Sequence, residues 1–313
     1  MNKLPLANGC VELLKDYKKR TRACNPQKIT FTGVDGMDVY NITAPFEDQG
    51  NTVIAGRVEH RDSEIAYVRF FIKQPDNSWK VDYPEKVFYQ FQDPFFTIIN
   101  NELIFGGVQI STNPLNHEEI ISWKTLFYKG DSISNLKLFA QGPDKMKDIR
   151  LVGLQNGDIG VFTRPQGGKN DMGKIGYISI SKLEDLNAEI IEQAHIFDSH
   201  FIPGEWGGVN EPQLLPDGRI GVLGHIAYWE HRSIRHYHAM SFVFDPVNLT
   251  HTPVKIIAVR NDFPDGDKKR PDLEDVLFSG GLIRNESGKS ILFTGLSDAE
   301  AYSIEIEDPF EEI

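Results

Sequence analysis

Five short segments of the chain place an acidic residue at the start of a run of β-forming residues. The acids are Asp38 in GMDVYNITAPF, Asp93 in QDPFF, Asp148 in KDIRL, Glu211 in NEPQL and Asp275 ahead of VLFSGGL. If each run is the inner strand of a sheet beside a common channel, the carboxyl groups converge on one pocket. Glycoside hydrolysis needs such a set, with one carboxyl group as proton donor and a second as base or nucleophile. The competing interpretation is that the acids cap neighbouring sheets by accepting backbone hydrogen bonds.

Cationic and imidazole side chains recur near these acids. Arg57, Glu59 and Arg61 lie in GRVEHRD, directly after a predicted strand, and Arg164 and His225 end two nearly identical segments, NGDIGVFTR and DGRIGVLGH. An arginine at such a place binds a carboxylate, a phosphate or two sugar hydroxyls through its planar guanidinium. An exposed charged loop is the alternative interpretation of GRVEHRD.

Aromatic residues accompany the polar ones in HIAYWEHRSIRHYH and GEWGGVNEP. His236 and His238 are two residues apart on a predicted strand and share a face, but no Cys or acidic partner stands at a firm spacing, so we predict no metal site. Trp206 is either a surface on which a pyranose ring stacks or a core residue. The substrate-binding residues predicted from these motifs are Arg57, Glu59, Arg61, Asp93, Arg164, Trp206 and His225.

The elements that would position these residues repeat five times along the chain. QGNTVIAGR, NNELIFGG, NGDIGVFTR, DGRIGVLGH and SGKSILFTG each combine a turn with a short β-forming run, and they are spaced by 50 to 70 residues. Further predicted strands precede and follow them, so each unit is an antiparallel meander. The sequence therefore predicts an all-β fold, a five-bladed β-propeller with a short N-terminal helical cap.

The predicted boundaries follow from these units. Residues 1–30 form an N-terminal helical extension containing CVELLKDYKKRTRA, and residues 31–313 form the propeller. A second helical pattern covers 182–193. The blades are expected at about 31–75, 88–130, 145–181, 205–246 and 272–307.

Composition excludes several classes of function. The 313 residues carry a formal net charge of -12 and are 40% hydrophobic, as in an ordinary globular protein. A strongly acidic chain is a poor ligand for nucleic acid, and no apolar run is long enough for a membrane helix. The N-terminus lacks the apolar segment of a signal peptide, so we expect a cytoplasmic protein.

Several of these motifs resemble those of a known family. QDPFF, GRVEHRD, KDIRL, VFTRP, GVLGH, VLFSGGL and ILFTGLSD are similar to blade motifs of the β-mannoside phosphorylases and β-mannosidases. That family belongs to a wider five-bladed glycosidase group with the arabinanases, xylosidases and invertases. The chain resembles still more closely a bacterial family of unknown function that shares this propeller.

The resemblance implies a sugar pocket at the mouth of the channel, with Asp93, Lys147, Asp148, Arg164 and His225 around it, and it adds Lys147 to the predicted substrate-binding residues. The phosphorylases carry a proton donor shortly after the second-blade hairpin, where this chain reads GGVQISTN and has no acid. Arabinanase-like relatives place acids on blades one, three and four. By that likeness Glu211 would be the general acid, Asp38 the base that activates water, and Asp148 the residue that orients them and tunes their pKa.

These observations lead to three competing hypotheses. The first is a glycoside hydrolase acting on a short oligosaccharide. The second is a glycoside or mannoside phosphorylase that uses phosphate as co-substrate, held by Arg57, Arg61, Lys147 and Arg164. The third is a propeller that binds a sugar or a protein without catalysis. No cofactor, nucleic acid or membrane is expected, and a homo-oligomer is left open.

Overall fold

Antiparallel strand pairing organises the chain into five successive meanders. The computed structural model describes residues 7–20, 24–168 and 172–311, and most of them lie in strands. The predicted all-β class is confirmed.

Each meander takes its strands from one continuous stretch of the chain, with one exception. The exception is β1 (Cys24–Lys28), which joins the fifth meander. The first contains β2 (Phe31–Thr32), β3 (Asp38–Tyr40), β4 (Phe46–Asp48), β5 (Asn51–Glu59), β6 (Tyr67–Lys73), β7 (Trp79–Asp82) and β8 (Phe88–Tyr89). The second contains β9 (Phe91–Ile99), β10 (Glu102–Asn113), β11 (Asn116–Gly130) and β12 (Lys137–Gln141).

The remaining meanders follow the same pattern. The third contains β13 (Arg150–Gly153), β14 (Ile159–Thr163), β15 (Gly176–Ile180) and β16 (His195–Ile196). The fourth contains β17 (Glu205–Leu214), β18 (Ile220–Glu230), β19 (Ile234–Asp245), β20 (Thr250–His251) and β21 (Lys255–Ala258). The fifth contains β22 (Asp275–Arg284), β23 (Lys289–Leu296) and β24 (Glu300–Glu307), with β1 along the edge of β24.

The fourth and fifth meanders share one hydrogen-bonded sheet. His236 of β19 pairs in parallel with Asp275 of β22, and Tyr237 pairs with Val276. The five predicted repeats thus correspond to five meanders in four sheets. The predicted number of five separate blades stays a prediction.

The N-terminal segment differs from the predicted helical extension. Helix α1 (Cys10–Lys19) buries Cys10, Leu13 and Tyr17 in the apolar cluster of the fourth meander, but the segment that follows is strand β1 rather than a continued helix. This strand covers the edge of β24, which would otherwise expose unpaired backbone groups. No helix in the described ranges is long and apolar enough to cross a membrane.

The second helix is shorter than its sequence pattern indicates. Helix α2 (Ala188–Glu192) begins where the side chain of Asn187 accepts a hydrogen bond from the backbone N–H of Ile190. The preceding Leu183–Asp185 forms a separate 3₁₀ turn. Similar turns are formed by Ile133–Asn135, Arg260–Asp262 and Pro271–Leu273.

Glycines allow the first and fifth meanders to pack backbone against backbone. A Cβ atom on Gly280 would lie 1.6 Å from the carbonyl oxygen of Ile42, and one on Gly281 would lie 2.5 Å from the backbone nitrogen of Ala44. No side-chain rotation relieves such a contact, because the opposing atoms belong to the backbone. The SGGL segment is therefore required for the last strands to approach the first.

We expect Gly280→Ala to lower the free energy of unfolding by about 3 kcal/mol, since one of two backbones must shift to admit the methyl group. Gly153→Ala is the matched control, because a Cβ at Gly153 meets no atom within 4 Å. The control should change stability by less than about 1 kcal/mol. Urea unfolding of both variants measures the difference, and equal stability would contradict the close packing.

Candidate functional site

A cavity of about 180 Å³ is bordered by side chains from all five meanders. Its acidic residues are Glu64, Asp93, Asp148 and Asp298, and its cationic residues are Arg57, Lys147, Arg235 and Arg270. The other lining residues are Asn41, Gln92, Ile120, His225, Tyr237, Leu273, Val276 and Phe278. Such a mixture of opposite charges and a few apolar side chains suits a small polar ligand with an anionic group.

Four polar residues of the cavity have a left-handed backbone conformation. The φ angle is +45° at Asn41, +50° at Asp93, +57° at Asp148 and +51° at Asp298. Asn and Asp adopt this conformation more readily than other non-glycine residues, yet each instance costs about 1–3 kcal/mol. Because such strain concentrates at functional sites, its presence on four sides of one cavity supports a binding function.

A β-bulge accompanies this conformation in the second meander. The register between β9 and β10 shifts after the pair Gln92 and Val108, so that Phe95 next pairs with Gly106. Asp93 lies within this irregularity. A bulge redirects a side chain out of the alternating pattern of a strand, which is how Asp93 comes to line the cavity.

Asp148 forms a buried ion pair with Arg164. The Nη1 atom of Arg164 lies 3.1 Å from Oδ2 of Asp148, and both side chains are less than 4% exposed, at 3% and 2%. Arg164 also donates from Nε to the carbonyl oxygen of Gly207 at 2.8 Å. Burial by itself raises the pKa of Asp148, but the positive charges of Arg164 and then Lys147 outweigh it and lower the pKa to about 2. Asp148 is therefore a carboxylate throughout the physiological pH range.

His225 lies against the same carboxylate without carrying a charge. Its Nε2 atom is 4.0 Å from Oδ2 of Asp148, and its Nδ1 atom is 2.8 Å from Oδ1 of Asn210. Burial lowers the pKa of His225 to about 3, although the negative charge of Asp148 opposes the shift. A neutral imidazole at the cavity wall exchanges hydrogen bonds with a ligand without adding charge.

A second charge network fills the space between the first meander and the loop before β22. Glu59 is fully buried and accepts hydrogen bonds from the Tyr40 hydroxyl, from Arg57 Nη2 at 3.0 Å and from Lys269 Nζ at 2.5 Å. Lys269 also lies 3.0 Å from Glu64 Oε1. Each buried charge has a partner of opposite sign, as a low-dielectric interior requires.

This network positions Asp93 at the cavity. Asn41 Nδ2 donates to Oδ1 of Asp93 at 2.8 Å, and Arg57 Nη1 lies 3.6 Å from the same oxygen. No described residue hydrogen-bonds to Oδ2 of Asp93. One oxygen is thus held by the protein, and the other is available to a ligand.

Asp298 is the cavity acid best suited to hold a proton. Burial raises the pKa of its carboxyl group, and the negative charge of Asp93 adds to the effect while Arg57 opposes it. The carboxyl group has no hydrogen-bond partner among the described residues. A carboxyl group that keeps its proton more tightly than usual is a candidate general acid.

Most of the predicted substrate-binding residues lie together. Arg57, Asp93, Lys147 and His225 line the cavity, as does Asp148 from the predicted catalytic set. Arg164 lies directly behind Asp148. The two nearly identical hairpins therefore end in residues that meet at the same carboxylate.

The predicted catalytic triad is not assembled around the cavity. Asp38 is bound by Arg61 at 2.7 Å through both carboxylate oxygens, and Arg61 also reaches Asp267 at 3.1 Å. Glu211 instead accepts a hydrogen bond from the backbone N–H of Leu282 at 2.6 Å. Asp38, Arg61 and Glu211 are all absent from the cavity lining, because each side chain is directed to a partner elsewhere.

Two further residues that were predicted to contact a ligand, Glu59 and Trp206, are buried instead. Glu59 is enclosed by its three donors, and Trp206 is 1% exposed and donates from Nε1 to the Tyr237 hydroxyl at 3.1 Å. Trp206 therefore offers no face to a sugar, and it supports Tyr237, which does line the cavity.

The acids at the strand starts do not occupy equivalent places. Asp275 lies 2.6 Å from Nδ1 of His236 and, like Asp38 and Glu211, is not a lining residue. Asp93 and Asp148 share the left-handed conformation that turns them towards the cavity. No cluster of three or more His, Cys, Asp or Glu residues in the described part of the chain could hold a metal ion.

Sequence reasoning missed Asn41, Asp298 and Arg235 as cavity residues. Asn41 follows Asp38 by three positions in GMDVYNITAPF, and Asp298 ends the motif ILFTGLSD. An Asn or Asp where the inner strand meets a turn was the available signal, since these residues tolerate left-handed backbone. Nothing in the local sequence marked Arg235.

We expect the carboxyl group of Glu211 to make the folded protein less stable at alkaline pH than at acidic pH. Burial raises its pKa to about 7 from 4.5, so the folded state binds the proton more tightly, and stability falls as pH rises through this interval. We expect the free energy of unfolding of Glu211→Gln to exceed that of the wild type by about 1–3 kcal/mol at about pH 8. At about pH 4 the two free energies should be equal. Urea unfolding at both pH values measures this, with the exposed Glu192→Gln as control. Parallel pH profiles for wild type and Glu211→Gln would contradict it.

Asp148→Ala should destabilise the protein by about 3–5 kcal/mol, because it leaves the Arg164 charge buried without a partner. Asp144→Ala is the control, because Asp144 is 83% exposed and its ion pair with Lys124, at 3.3 Å, lies at the surface. The control should change stability by less than about 0.5 kcal/mol. Adding Arg164→Met to Asp148→Ala should restore part of the loss in thermal unfolding, and no restoration would contradict the ion-pair explanation.

Solved structures similar to this one include two proteins from Leishmania mexicana. MPT-4, a mannose phosphorylase solved in complex with a phosphate ion, is 36% identical over 96% of this chain and 93% of its own, with a TM-score of 0.88. MPT-1, a GDP-Man-dependent mannosyltransferase, is 34% identical over 97% of each chain, with a TM-score of 0.87.

A more distant structure shares the fold alone. The β-1,2-mannobiose phosphorylase from Listeria innocua is 14% identical over 88% of this chain and 91% of its own, with a TM-score of 0.64.

A search of curated protein sequences finds no match. Both resemblances inferred from the sequence are confirmed, as is the propeller glycosidase fold. Because the family model described as "Protein of unknown function (DUF1861)" matches residues 15–312, the chain belongs to that family.

Proposed function

We propose that this protein is a carbohydrate-active enzyme that transfers a mannosyl group between a short mannoside and inorganic phosphate. Similarity to a mannose phosphorylase over nearly the whole chain supports mannose as the sugar and phosphate as the acceptor. The cavity supports the reaction type, because it combines carboxyl groups with a cation that no protein group neutralises.

The observation that carries the proposal is the free ammonium group of Lys147. It borders the cavity and lowers the pKa of the neighbouring Asp148, yet it forms no hydrogen bond or ion pair with any described residue. Hydrolysis needs carboxyl groups and water, whereas phosphorolysis also needs a positive group for the incoming phosphate. Lys147 is partly exposed at the cavity, so its ammonium group is accessible to an anionic ligand.

The remaining cavity groups fit the chemistry of the transfer. The bond between the anomeric carbon and the leaving oxygen breaks, a bond from that carbon to a phosphate oxygen forms, and the leaving oxygen takes up a proton. Asp298 would supply this proton, since burial raises its pKa. The free oxygen of Asp93 would accept a hydrogen bond from a sugar hydroxyl.

The size of the cavity favours a small substrate. Its volume of about 180 Å³ is below the roughly 300–1,000 Å³ of typical ligand pockets. A cavity of this size is filled by about one sugar unit. Further sugar units would extend past the lining residues, which favours a short oligosaccharide.

Phosphorolysis is tested by incubating the protein with mannobiose or mannotriose, with and without phosphate, and measuring mannose 1-phosphate and free mannose. The reverse reaction, from mannose 1-phosphate and mannose, should release phosphate. Turnover that is indifferent to phosphate would establish the hydrolase hypothesis instead. Turnover only with GDP-mannose would favour a mannosyltransferase, and sugar binding without turnover would favour a non-catalytic propeller.

Lys147→Met should raise the KM for phosphate by about 10- to 100-fold, the effect of losing a hydrogen bond to a charged group. The KM for the mannoside should change much less. Lys145→Met is the matched control, because Lys145 is exposed and does not line the cavity. An unchanged phosphate KM in Lys147→Met would contradict the role assigned to this residue.

A further inference from the structure

Arg235 reaches the cavity from the hairpin formed by β18 and β19. It lies on β19 directly opposite Trp229 of β18, and its guanidinium carbon is 4.8 Å from the centre of the indole ring. A cation–π contact of this kind holds the guanidinium group over the aromatic ring. The hairpin therefore presents a cation in a restricted orientation at the cavity wall.

A row of aromatic side chains connects this cation to the core. Trp229 lies 5.9 Å from Trp206, ring centre to ring centre, and the indole of Trp206 is buried and donates to the Tyr237 hydroxyl at 3.1 Å. The hairpin turn is also restrained, because His231 and Arg232 both have left-handed φ angles, of +50° and +58°. A ligand that binds to Arg235 therefore restricts little further motion of this hairpin.

The guanidinium group has hydrogen-bonding capacity that the protein does not use. Its Nε atom is buried without a hydrogen-bond partner, and the Oδ2 atom of Asp272 is 3.7 Å away, too far for a hydrogen bond. Asp272 is shared with Arg270, which lies 3.2 Å from its other oxygen. No described residue accepts a hydrogen bond from the terminal nitrogens of Arg235.

We propose that Arg235, held over Trp229, binds two oxygens of the phosphate and thereby selects phosphate over water as the acceptor. This inference deepens the proposed function and rests on it. A planar guanidinium group matches two phosphate oxygens, whereas the lysine at position 147 contributes a point charge. Trp229 is a positioning residue, since it acts through the orientation of Arg235.

The test compares variants of one hairpin. Arg235→Gln removes the charge, Arg235→Lys keeps the charge without the planar fork, and Trp229→Leu removes the support, while Trp229→Phe keeps an aromatic face. Arg232→Gln is the matched control, because Arg232 is an exposed arginine at the tip of the same hairpin that does not line the cavity.

Arg235→Gln should raise the KM for phosphate by about 10- to 100-fold and leave the KM for the mannoside within about 3-fold. It should also increase the ratio of free mannose to mannose 1-phosphate formed. Arg235→Lys and Trp229→Leu should fall between this variant and the wild type, and Trp229→Phe should restore most of the phosphate affinity. An equal rise in both KM values, or no change in either, would overturn the inference.

Binding of inorganic phosphate by calorimetry separates this inference from the proposed function. If the wild type binds phosphate and Arg235→Gln binds it at least about 10-fold more weakly, the phosphate-binding role of Arg235 is supported; absence of mannoside turnover would then contradict the proposed function and the acceptor selection that rests on it. If the wild type performs phosphorolysis while Arg235→Gln binds phosphate normally, the function stands and the inference fails. Absence of phosphate binding by the wild type would overturn the inference.

Discussion

Charged side chains buried where the meanders meet constrain the whole centre of this molecule. Removing a charge from water costs several kcal/mol, so each must find a partner of opposite sign. Glu59 meets this requirement with Arg57 and Lys269, and Asp148 meets it with Arg164. The Asp148 and Arg57 pairs lie within single meanders. The Lys269 contact, however, joins the first meander to the loop before β22, so it can form only when these two parts of the chain have come together.

A few charged groups at the cavity are only partly buried and are less closely paired. Lys147 has no protein partner, and Arg235 has an anion only at 3.7 Å. Asp298 forms no hydrogen bond with any described residue. In a region where other charges are matched closely, incomplete pairing is most simply explained by a ligand that completes it. We interpret the phosphate and the sugar as the missing partners.

Backbone strain and electrostatics support the same location. The left-handed conformations at Asn41, Asp93, Asp148 and Asp298 cost free energy that glycine would avoid. Glycine, however, could supply no carboxyl or amide group to the cavity. The tight packing of Gly280 against the backbone of Ile42 shows that glycine is used where space is the constraint.

The sequence by itself determined the strand repeat, the fold class and a good part of the cavity. Turn residues and alternating β-formers are local signals, and Asp93, Asp148, Arg164 and His225 stood at recognisable points of the repeat. The N-terminal strand β1 escaped detection because its partner β24 lies at the opposite end of the chain.

Tertiary structure decided which polar residues share the cavity. Asp38 and Glu211 looked equivalent to Asp93 and Asp148 in sequence. Only Asp93 and Asp148 have a left-handed backbone, and this directs their side chains differently. Arg235 and Trp229 became relevant only because a hairpin places them beside strands from other meanders. The direction of a side chain depends on the backbone angles and on neighbours that are distant in sequence. A local pattern of residue types specifies neither the angles nor the neighbours.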